Sequence, residues 1–517
     1  MQRCAKASLT LAAAALCACA TAAPAAGPAP ATAATVPDRT ARAVVGAALA
    51  AMGGEAGLRR LRDVHFKSMG SWSSVEGSER PEPPWNISYA RTEQWLDYQR
   101  GAWRQDGEFL SASRGSDAWS QFSVTVADGA SAYKVDGPLK PGAPVQLADA
   151  SEQLLYQPYR LALAAADAGD LHRDGDEVLA GQPNQIVGFH HDGMPIRLWI
   201  DARTGRLTAA QIVHAMPDDA FWRIRGDVTD RLVFSQWVVE PAGLWFARQY
   251  DLVRAGIPYH TFVISSIEVN VATPAVFAIP DDVRAAYAAT AWGPASVPAA
   301  GEKPIVELAP GVWFAPAGRN TLLIGQPAGA VLIDAPISDV YFARTFDEVV
   351  HRFGAPPAAV VISDHNTTQL AGVREAAARG VAIRVLDANR GFVAGLLAAP
   401  YTLAPDALAR SGRRAALEAV STRTVMGSGA TRVELIPMRG TLGERVLLAW
   451  LPGPRLLWVA SALSVDRDGR ARPSRLAELT AVIAREHLDV DRVVGAQLAP
   501  TGWASLREAS AASGAPR

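Results

Sequence analysis

Cysteine is almost absent from this 517-residue sequence, and the three that occur, Cys4, Cys17 and Cys19, all lie within the first 19 residues. The rest of the chain therefore has no disulfide, no thiolate metal site and no cysteine nucleophile. Any metal ion would have to be bound by histidine and carboxylate side chains.

An excess of charge of one sign is also missing, since 50 Lys and Arg residues face 51 Asp and Glu residues. A balanced charge argues against a nucleic-acid-binding protein, whose contact face is usually rich in basic residues. The sequence contains no Gly-Lys dipeptide, which excludes a phosphate-binding P-loop, and no Gly-x-Ser-x-Gly nucleophile elbow. The composition, 49% hydrophobic and 20% charged, is that of a folded chain, and the length predicts roughly two to four domains.

Residues 1–20 have the pattern of a signal peptide. Arg3 and Lys6 form a short basic segment, and Leu9–Ala18 follows as an apolar stretch of suitable length. This pattern predicts export, to the periplasm or to the outer membrane of a Gram-negative bacterium. No later run of 18 apolar residues predicts a membrane span.

Cys19 is a candidate lipidation site, because Leu16-Cys17-Ala18-Cys19 resembles a bacterial lipobox. Two alternatives remain open, namely cleavage around Ala20–Ala23 without lipid and an uncleaved anchor. Contact with the membrane is expected only through such a lipid. Residues 21–38 are rich in alanine and proline, which predicts a flexible tether.

Residues 39–287 are expected to form a large antiparallel sheet domain. The segment 40–61 has a helical pattern interrupted by Gly53-Gly54, and short strand-like runs follow it. Asp201–Gly205 predicts a turn between two strands, and Glu152–Ala166 predicts one helix within the series.

This region weakly resembles the half-barrel of periplasmic lipoprotein carriers, chiefly in its strand pattern, in Leu198–Gly205 and in the export signal. The resemblance implies an apolar concave face that could hold an acyl chain. A simply packed sheet is the alternative interpretation.

Residues 288–303 are small and contain proline and glycine, which predicts a linker. Within residues 304–507 the pattern predicts short apolar strands that alternate with helices. This alternation is typical of layered folds built from strands and helices. Residues 508–517 are expected to be a tail.

Residues 304–507 resemble the metallo-β-lactamase superfamily, because a set of short segments occurs in the same order as the landmark segments of that family. The segments that carry the resemblance are Leu308–Trp313, Asn320–Ile324, Ala330–Asp334, Val360–Gly372, Leu448–Pro452, Leu456–Val459 and His487–Val494. Of these, His487–Val494 is expected to be the final strand. The resemblance implies an α+β chain in which a four-layer αββα sandwich follows the half-barrel-like sheet. It also implies one or two zinc ions and a hydrolytic activity.

The zinc ligands implied by that resemblance are almost all replaced. The positions concerned are Asp364, Asn366, Thr368 and Gln369 in the metal loop, Gly440 within Arg439–Gly443, Ser461 or Ala462, and Gln497. Amide and hydroxyl oxygens are weak zinc ligands and would not lower the pKa of a bound water towards neutrality. We therefore expect no cofactor and a loss of zinc-dependent hydrolysis.

Two candidate catalytic residues remain, Asp364 and His365. His365 lies between the usual ligand positions and could act as a general base beside Asp364, or it is an ordinary loop histidine. The leading interpretation is an exported protein that acts in binding or scaffolding, with a small or apolar ligand or an envelope protein as partner.

Two alternatives stay open. One is a divergent hydrolase of an ester, lactone or amide, with zinc bound. The other is a carrier of a lipid or other apolar ligand through the sheet domain.

Overall fold

The structure is a computed structural model, and it describes residues 40–111, 119–240, 243–293, 304–316, 319–465 and 469–511. The expected signal peptide, the tether with Cys19 and most of the expected linker and tail lie outside these residues. Among the described residues, no helix is both long and apolar enough to cross a membrane.

A large antiparallel sheet, as expected for the first region, forms between residues 63 and 269. Within the described ranges it has 13 strands, in the spatial order β6-β5-β4-β3-β2-β1-β13-β12-β11-β10-β9-β8-β7. These are β1 (Asp63–Ser74), β2 (Asn86–Asp97), β3 (Ala102–Ser111), β4 (Ser120–Ala127), β5 (Ala130–Val135), β6 (Lys140–Pro141), β7 (His172–Leu179), β8 (Gln182–His191), β9 (Met194–Asp201), β10 (Leu207–Ala215), β11 (Asp227–Val239), β12 (Trp245–Arg254) and β13 (Ile257–Val269). The first and last strands are thus neighbours in the middle of the sheet, with Val64 opposite Val269.

Helices pack on this sheet. They are α1 (Ala41–Ala51), α2 (Glu55–Arg59), α3 (Pro144–Leu155), α4 (Pro158–Asp167) and α5 (Asp281–Ala289). Gly53 and Gly54 have φ values of 116° and 90°, which separates α1 from α2 as the sequence predicts. Val44 of α1 and Leu161 of α4 are fully buried in one core with side chains of the sheet, so these helices cover part of its face.

The single helix expected over Glu152–Ala166 is wrong, because the chain forms two helices there. Gln157 is extended, with φ −74° and ψ 133°, and Pro158 begins the second helix. Proline disfavours the helical conformation of the residue before it, and it is well accepted in the first turn. Pro158 therefore accounts for the break.

Two mixed sheets form the region after residue 304. In the described part of that region, seven strands have the order β14-β15-β16-β17-β18-β19-β20 and six have the order β21-β22-β23-β24-β25-β26. Their bounds are β14 (Val306–Ala309), β15 (Val312–Ala315), β16 (Thr321–Ile324), β17 (Val331–Ile333), β18 (Ala359–Ile362), β19 (Ala382–Leu386), β20 (Leu417–Val420), β21 (Thr424–Met426), β22 (Val433–Met438), β23 (Val446–Leu451), β24 (Leu456–Trp458), β25 (Arg492–Gly495) and β26 (Leu498–Gly502). Pairing is parallel from β17 to β20 and between β24 and β25, and antiparallel elsewhere.

One hydrophobic core contains side chains of both mixed sheets, for example Val361 and Leu448, and a second lies between the seven-stranded sheet and helices. The helices of this region are α6 (Asp339–Phe353), α7 (Thr367–Leu370), α8 (Val373–Ala378), α9 (Arg390–Ala398), α10 (Ala407–Ser411), α11 (Pro473–Arg485) and α12 (Trp503–Ala511). The expectation that His487–Val494 forms the final strand is wrong, because β26 follows β25 and pairs with it.

Candidate functional site

The loop between β18 and α7 carries the candidate residues Asp364, His365 and Asn366. Its start is fixed by Asp334, a fully buried side chain that follows β17. Asp334 accepts hydrogen bonds from the backbone N–H of Ser363 at 2.7 Å and from the Ser363 hydroxyl at 2.6 Å. Burial, with a contribution from the nearby Asp364 carboxylate, raises the pKa of Asp334 well above its usual range. Asp334 thus holds the loop at the end of its strand through two hydrogen bonds.

Asp364 is buried at the centre of the site, with 1% of its surface exposed. Its carboxylate accepts a hydrogen bond from the backbone N–H of Asn366 at 2.7 Å and another from the Ser461 hydroxyl. With its amide nitrogen facing the carboxylate, Gln369 donates to Asp364 as well. The structure therefore brings three of the predicted positions onto Asp364, and all of them offer neutral hydrogen-bond donors.

Asn366 and Thr368 form a second part of the site. The side-chain oxygen of Asn366 caps α7, accepting from the backbone N–H of Thr368 at 3.1 Å and from its hydroxyl at 2.6 Å. The Nε of Arg319 donates to the Thr368 hydroxyl oxygen at 3.0 Å. The guanidinium of Arg319 also donates to the side-chain oxygen of Gln497, once that amide is oriented to accept. The guanidinium of Arg319 thus joins Thr368 and Gln497, two of the positions singled out in the sequence.

The pKa of Arg319 reflects this setting. Burial lowers it, while the carboxylates of Asp364 and Glu76 act in the opposite direction. Arg319 was not singled out from the sequence, since a lone arginine before a short strand carries no recognisable pattern.

Glu76, from the segment that follows β1, enters the loop from the first region. Its carboxylate accepts from the backbone N–H of Thr367 at 2.9 Å and from the Thr367 hydroxyl. Burial raises the pKa of Glu76 to about 7, because its Thr367 partners only partly offset the lost hydration and the charge of Asp364 adds to the effect. Glu76 and Thr367 are 291 residues apart, and nothing in the sequence connects them.

His365 lies beneath the same segment. Its Nε2 is 3.2 Å from the backbone oxygen of Ser78, and its Nδ1 is buried without a hydrogen-bond partner in the described part of the chain. Burial lowers the pKa of His365, although the Asp364 carboxylate acts in the opposite direction. His365 is therefore held against the first region, in surroundings that favour its neutral form.

Ion pairs join the first region to the rim of the site. They are Glu79 with Arg475 at 3.0 Å, Arg80 with Glu444 at 2.7 Å and Glu82 with Arg445 at 2.8 Å. We call residues 75–82 the covering segment, because its contacts run from the Asp364 loop outwards to this rim. Ser461 and Gln497 are exposed, so the site stays open to solvent on their side.

Gly440, another of the positions singled out in the sequence, lies beside the side chain of Glu478. A Cβ at this position would collide with the side chain of Glu478, whose carboxylate accepts from the backbone N–H of Leu442 at 3.0 Å. A larger side chain at this position would therefore displace the Glu478 side chain. No contact in the described structure joins Gly440 to Asp364.

The donor set around Asp364 does not fit a zinc ion. Asp364 is the one carboxylate among these positions, the other side chains offer neutral oxygen and nitrogen atoms, and the Arg319 guanidinium adds positive charge. Among the residues that the structure describes, the group of potential ligands close enough to share one ion is Glu152, His214 and Asp230, in the first region.

No family model and no curated protein matches the sequence. Similar solved structures include a metallo-beta-lactamase from Pontibacter korlensis, 14% identical, covering 40% of this chain and 95% of that chain with a TM-score of 0.32. They also include TMB-1 and the DIM-1 metallo-beta-lactamase, each 12% identical, covering 41% of this chain and 96% of the other with a TM-score of 0.32.

Proposed function

We propose that residues 304–507 form a four-layer αββα sandwich of the metallo-β-lactamase type whose former zinc pocket has become a docking site. Its occupant is the covering segment of the first region, and the protein acts in binding or scaffolding. The proposal is supported by the strand order of the two mixed sheets. It is also supported by the position of Asp364 at the carboxyl end of the parallel strand β18.

The contact between Glu76 and Thr367 carries this proposal. A metal loop that serves catalysis presents its polar groups to substrate and water rather than to another part of the chain. Here a buried carboxylate from another part of the chain binds the loop backbone at 2.9 Å, and the backbone of Ser78 lies against His365. These contacts favour recognition within the chain over turnover of a substrate.

The two alternatives are less well supported. Hydrolysis of an ester, lactone or amide would use Asp364 and His365, and the observed partners of both are contacts within the protein. A carrier would need an open apolar sheet face, whereas α1 and α4 share a core with that face.

Export is part of the proposal. The protein would lie in the periplasm or be anchored at the outer membrane through a lipid on Cys19. Its partner there would be an envelope protein or a small or apolar ligand.

Metal content is the first test. The mature protein, purified without chelators, is expected to contain no stoichiometric transition metal in elemental analysis. It should also leave ester, lactone and amide substrates intact after incubation with zinc. A stoichiometric metal that is lost in an Asp364→Ala variant would overturn the proposal.

Hydrogen exchange tests the docking directly. The amide of Thr367 should exchange more rapidly in Glu76→Ala than in the unmodified protein, because it loses its acceptor. Glu93→Ala, a glutamate on β2 that pairs with His65, is the matched control and should leave this amide unchanged. Equal protection of Thr367 in all three proteins would show that Glu76 does not hold the loop.

A further inference from the structure

A cavity of about 590 Å³ opens beside the first region's sheet, away from Asp364. It is bounded by α3, the turn between β8 and β9, the end of β10 and the residues after it, and Leu403 of the second region also lines it. Val145, Asp149 and Glu152 of α3 lie at intervals of four and three residues, which puts them on one helix face towards the cavity. The volume is that of a site for a small organic molecule.

The charge of the cavity wall has one sign. Within the described structure, five carboxylates line it and no lysine or arginine does; they are Asp149, Glu152, Asp192, Asp218 and Asp219. The apolar part of the wall includes Val145, Leu155, Met194 and Met216. An acidic, partly apolar wall suits a ligand with a positive charge and a hydrocarbon body.

Arg254 lies behind this wall, in contact with the lining residue Glu152, and its hydrogen-bond partners are residues of the protein. Its Nε donates to one oxygen of Asp230 at 2.8 Å, and one terminal nitrogen donates to the other oxygen at 2.6 Å and to Glu152 Oε2 at 2.7 Å. The hydroxyl of Tyr156 donates to Asp230 at 2.6 Å. Both carboxylate oxygens of Asp230 therefore have hydrogen-bond donors, whereas Oε1 of Glu152 makes no hydrogen bond in the described structure.

His214 lines the same cavity and is 6% exposed. Its Nε2 lies 3.2 Å from Asp230 Oδ2 without the alignment of a hydrogen bond, and its Nδ1 lies 3.9 Å from Glu152 Oε1, too far for one. Nε2 thus has no well-aligned partner among the described residues, and Nδ1 has no carboxylate within hydrogen-bond distance. A buried polar group in this condition costs free energy, which a hydrogen-bonding ligand would recover.

We propose that this cavity binds a small organic ammonium ion, with its charged group between Glu152 Oε1 and His214 Nδ1 and its apolar body against Leu155, Met194 and Met216. Two acceptors 3.9 Å apart can both be reached by N–H groups of one ammonium nitrogen. This inference does not depend on the function proposed for the Asp364 loop.

Asp149 supports the same ligand charge. It makes no hydrogen bond or ion pair with any residue that the structure describes. Burial raises its pKa to about 7, with further contributions from the carboxylates of Glu152 and Asp219. A bound cation would relieve this repulsion.

A divalent metal ion is the competing occupant, because ligand atoms of Glu152, His214 and Asp230 all lie within 4.8 Å of one another. Both oxygens of Asp230 already accept hydrogen bonds from Arg254, and one of them also accepts from Tyr156, so Asp230 has little capacity left to bind a metal ion. The cavity is also far larger than one ion requires. The observations therefore favour the organic ligand.

The test uses 2-phenylethylamine as the probe, titrated into the full chain and followed by ligand-observed NMR. 2-Phenylethanol has the same body without the charge and should bind at least about tenfold more weakly, as the loss of one charged hydrogen bond predicts. Glu152→Gln should weaken amine binding by a similar factor.

Asp149→Asn provides a variant that removes no intramolecular contact and should fold normally, and it should weaken the amine about threefold. Asp192→Asn is the matched control, because the Asp192 side chain is 85% exposed at the rim; its effect should stay below about twofold.

Equal binding of amine and alcohol, or amine binding that neither Glu152→Gln nor Asp149→Asn weakens, would overturn the proposal. Stoichiometric zinc binding that His214→Gln abolishes, without amine binding, would assign the site to a metal instead.

Discussion

The loop around Asp364 and the cluster around Arg254 both bury carboxylates, and they stabilise them in different ways. Asp230 is bound directly by Arg254, and although burial raises its pKa, the charge of Arg254, the nearby His214 and the hydrogen bonds of Arg254 bring it down to about 2. Glu76 has only the neutral donors of Thr367 within hydrogen-bond distance, and burial raises its pKa to about 7. At these two residues a direct cation offsets burial and neutral donors do not, whereas at Glu152, the other partner of Arg254, burial outweighs the cation and the pKa stays raised.

The largest expected effect comes from breaking the cluster. Arg254→Met should lower the free energy of unfolding by about 3–5 kcal/mol, because Asp230 and Glu152 would remain buried without their cation. Urea denaturation measures this loss. Arg284→Met is the matched control, since Arg284 lies 3.7 Å from Asp128 in a partly exposed pair and should contribute less than about 1 kcal/mol. Equal losses in both variants would mean that the Arg254 cluster gains nothing from burial.

A smaller, pH-dependent effect is expected at Glu76. Between pH 4.5 and about 7 the folded protein keeps a proton on Glu76 that the unfolded chain has released, so its contribution to stability falls as the pH rises through this window. Glu76→Gln removes this dependence. The stability of the variant relative to the unmodified protein should therefore increase by about 2–3 kcal/mol from pH 4.5 to pH 8.

Urea denaturation across this pH range measures the change. Asp149→Asn provides a comparison at a distant site with a similarly raised pKa, and the effects of the two variants should add. A difference between Glu76→Gln and the unmodified protein that is the same at every pH would contradict the assignment.

The smallest effect is expected at the rim of the covering segment. Arg80 and Glu444 have 42% and 32% of their side-chain surfaces exposed, so Arg80→Ala should cost less than about 1 kcal/mol. The cost should shrink further in concentrated sodium chloride, because salt screens exposed charges. A loss as large as that of Arg254→Met, or one insensitive to salt, would show that the rim rather than Glu76 fixes the covering segment.

Local patterns in the sequence predicted much of the fold. The turn at Asp201–Gly205 forms between β9 and β10, and the Asp201 carboxylate accepts from the backbone N–H of Arg203 at 2.7 Å and of Thr204 at 3.0 Å. The buried run before Ser363 forms β18 and delivers Asp364 at its end. These features depend on neighbouring residues, which a single sequence displays.

Contacts between distant residues were not predictable in the same way. Glu76 meets Thr367 across 291 residues, and Arg319 reaches Thr368 across 49. Arg254 and Asp230 occupy neighbouring strands of a sheet whose pairing order has no local signal. Sequence analysis therefore located the Asp364 loop but not the charged residues that surround it.

The pairing of β1 with β13 has a consequence for the order in which the chain is made. Residues 63–74 must wait for residues 257–269 before the middle of the sheet can close, and such long-range closure is slow. A nascent or prematurely terminated chain that stops before Ile257 would present one edge of β1 unpaired. Such an edge is a template for pairing with another molecule, so truncated products of this protein are expected to aggregate.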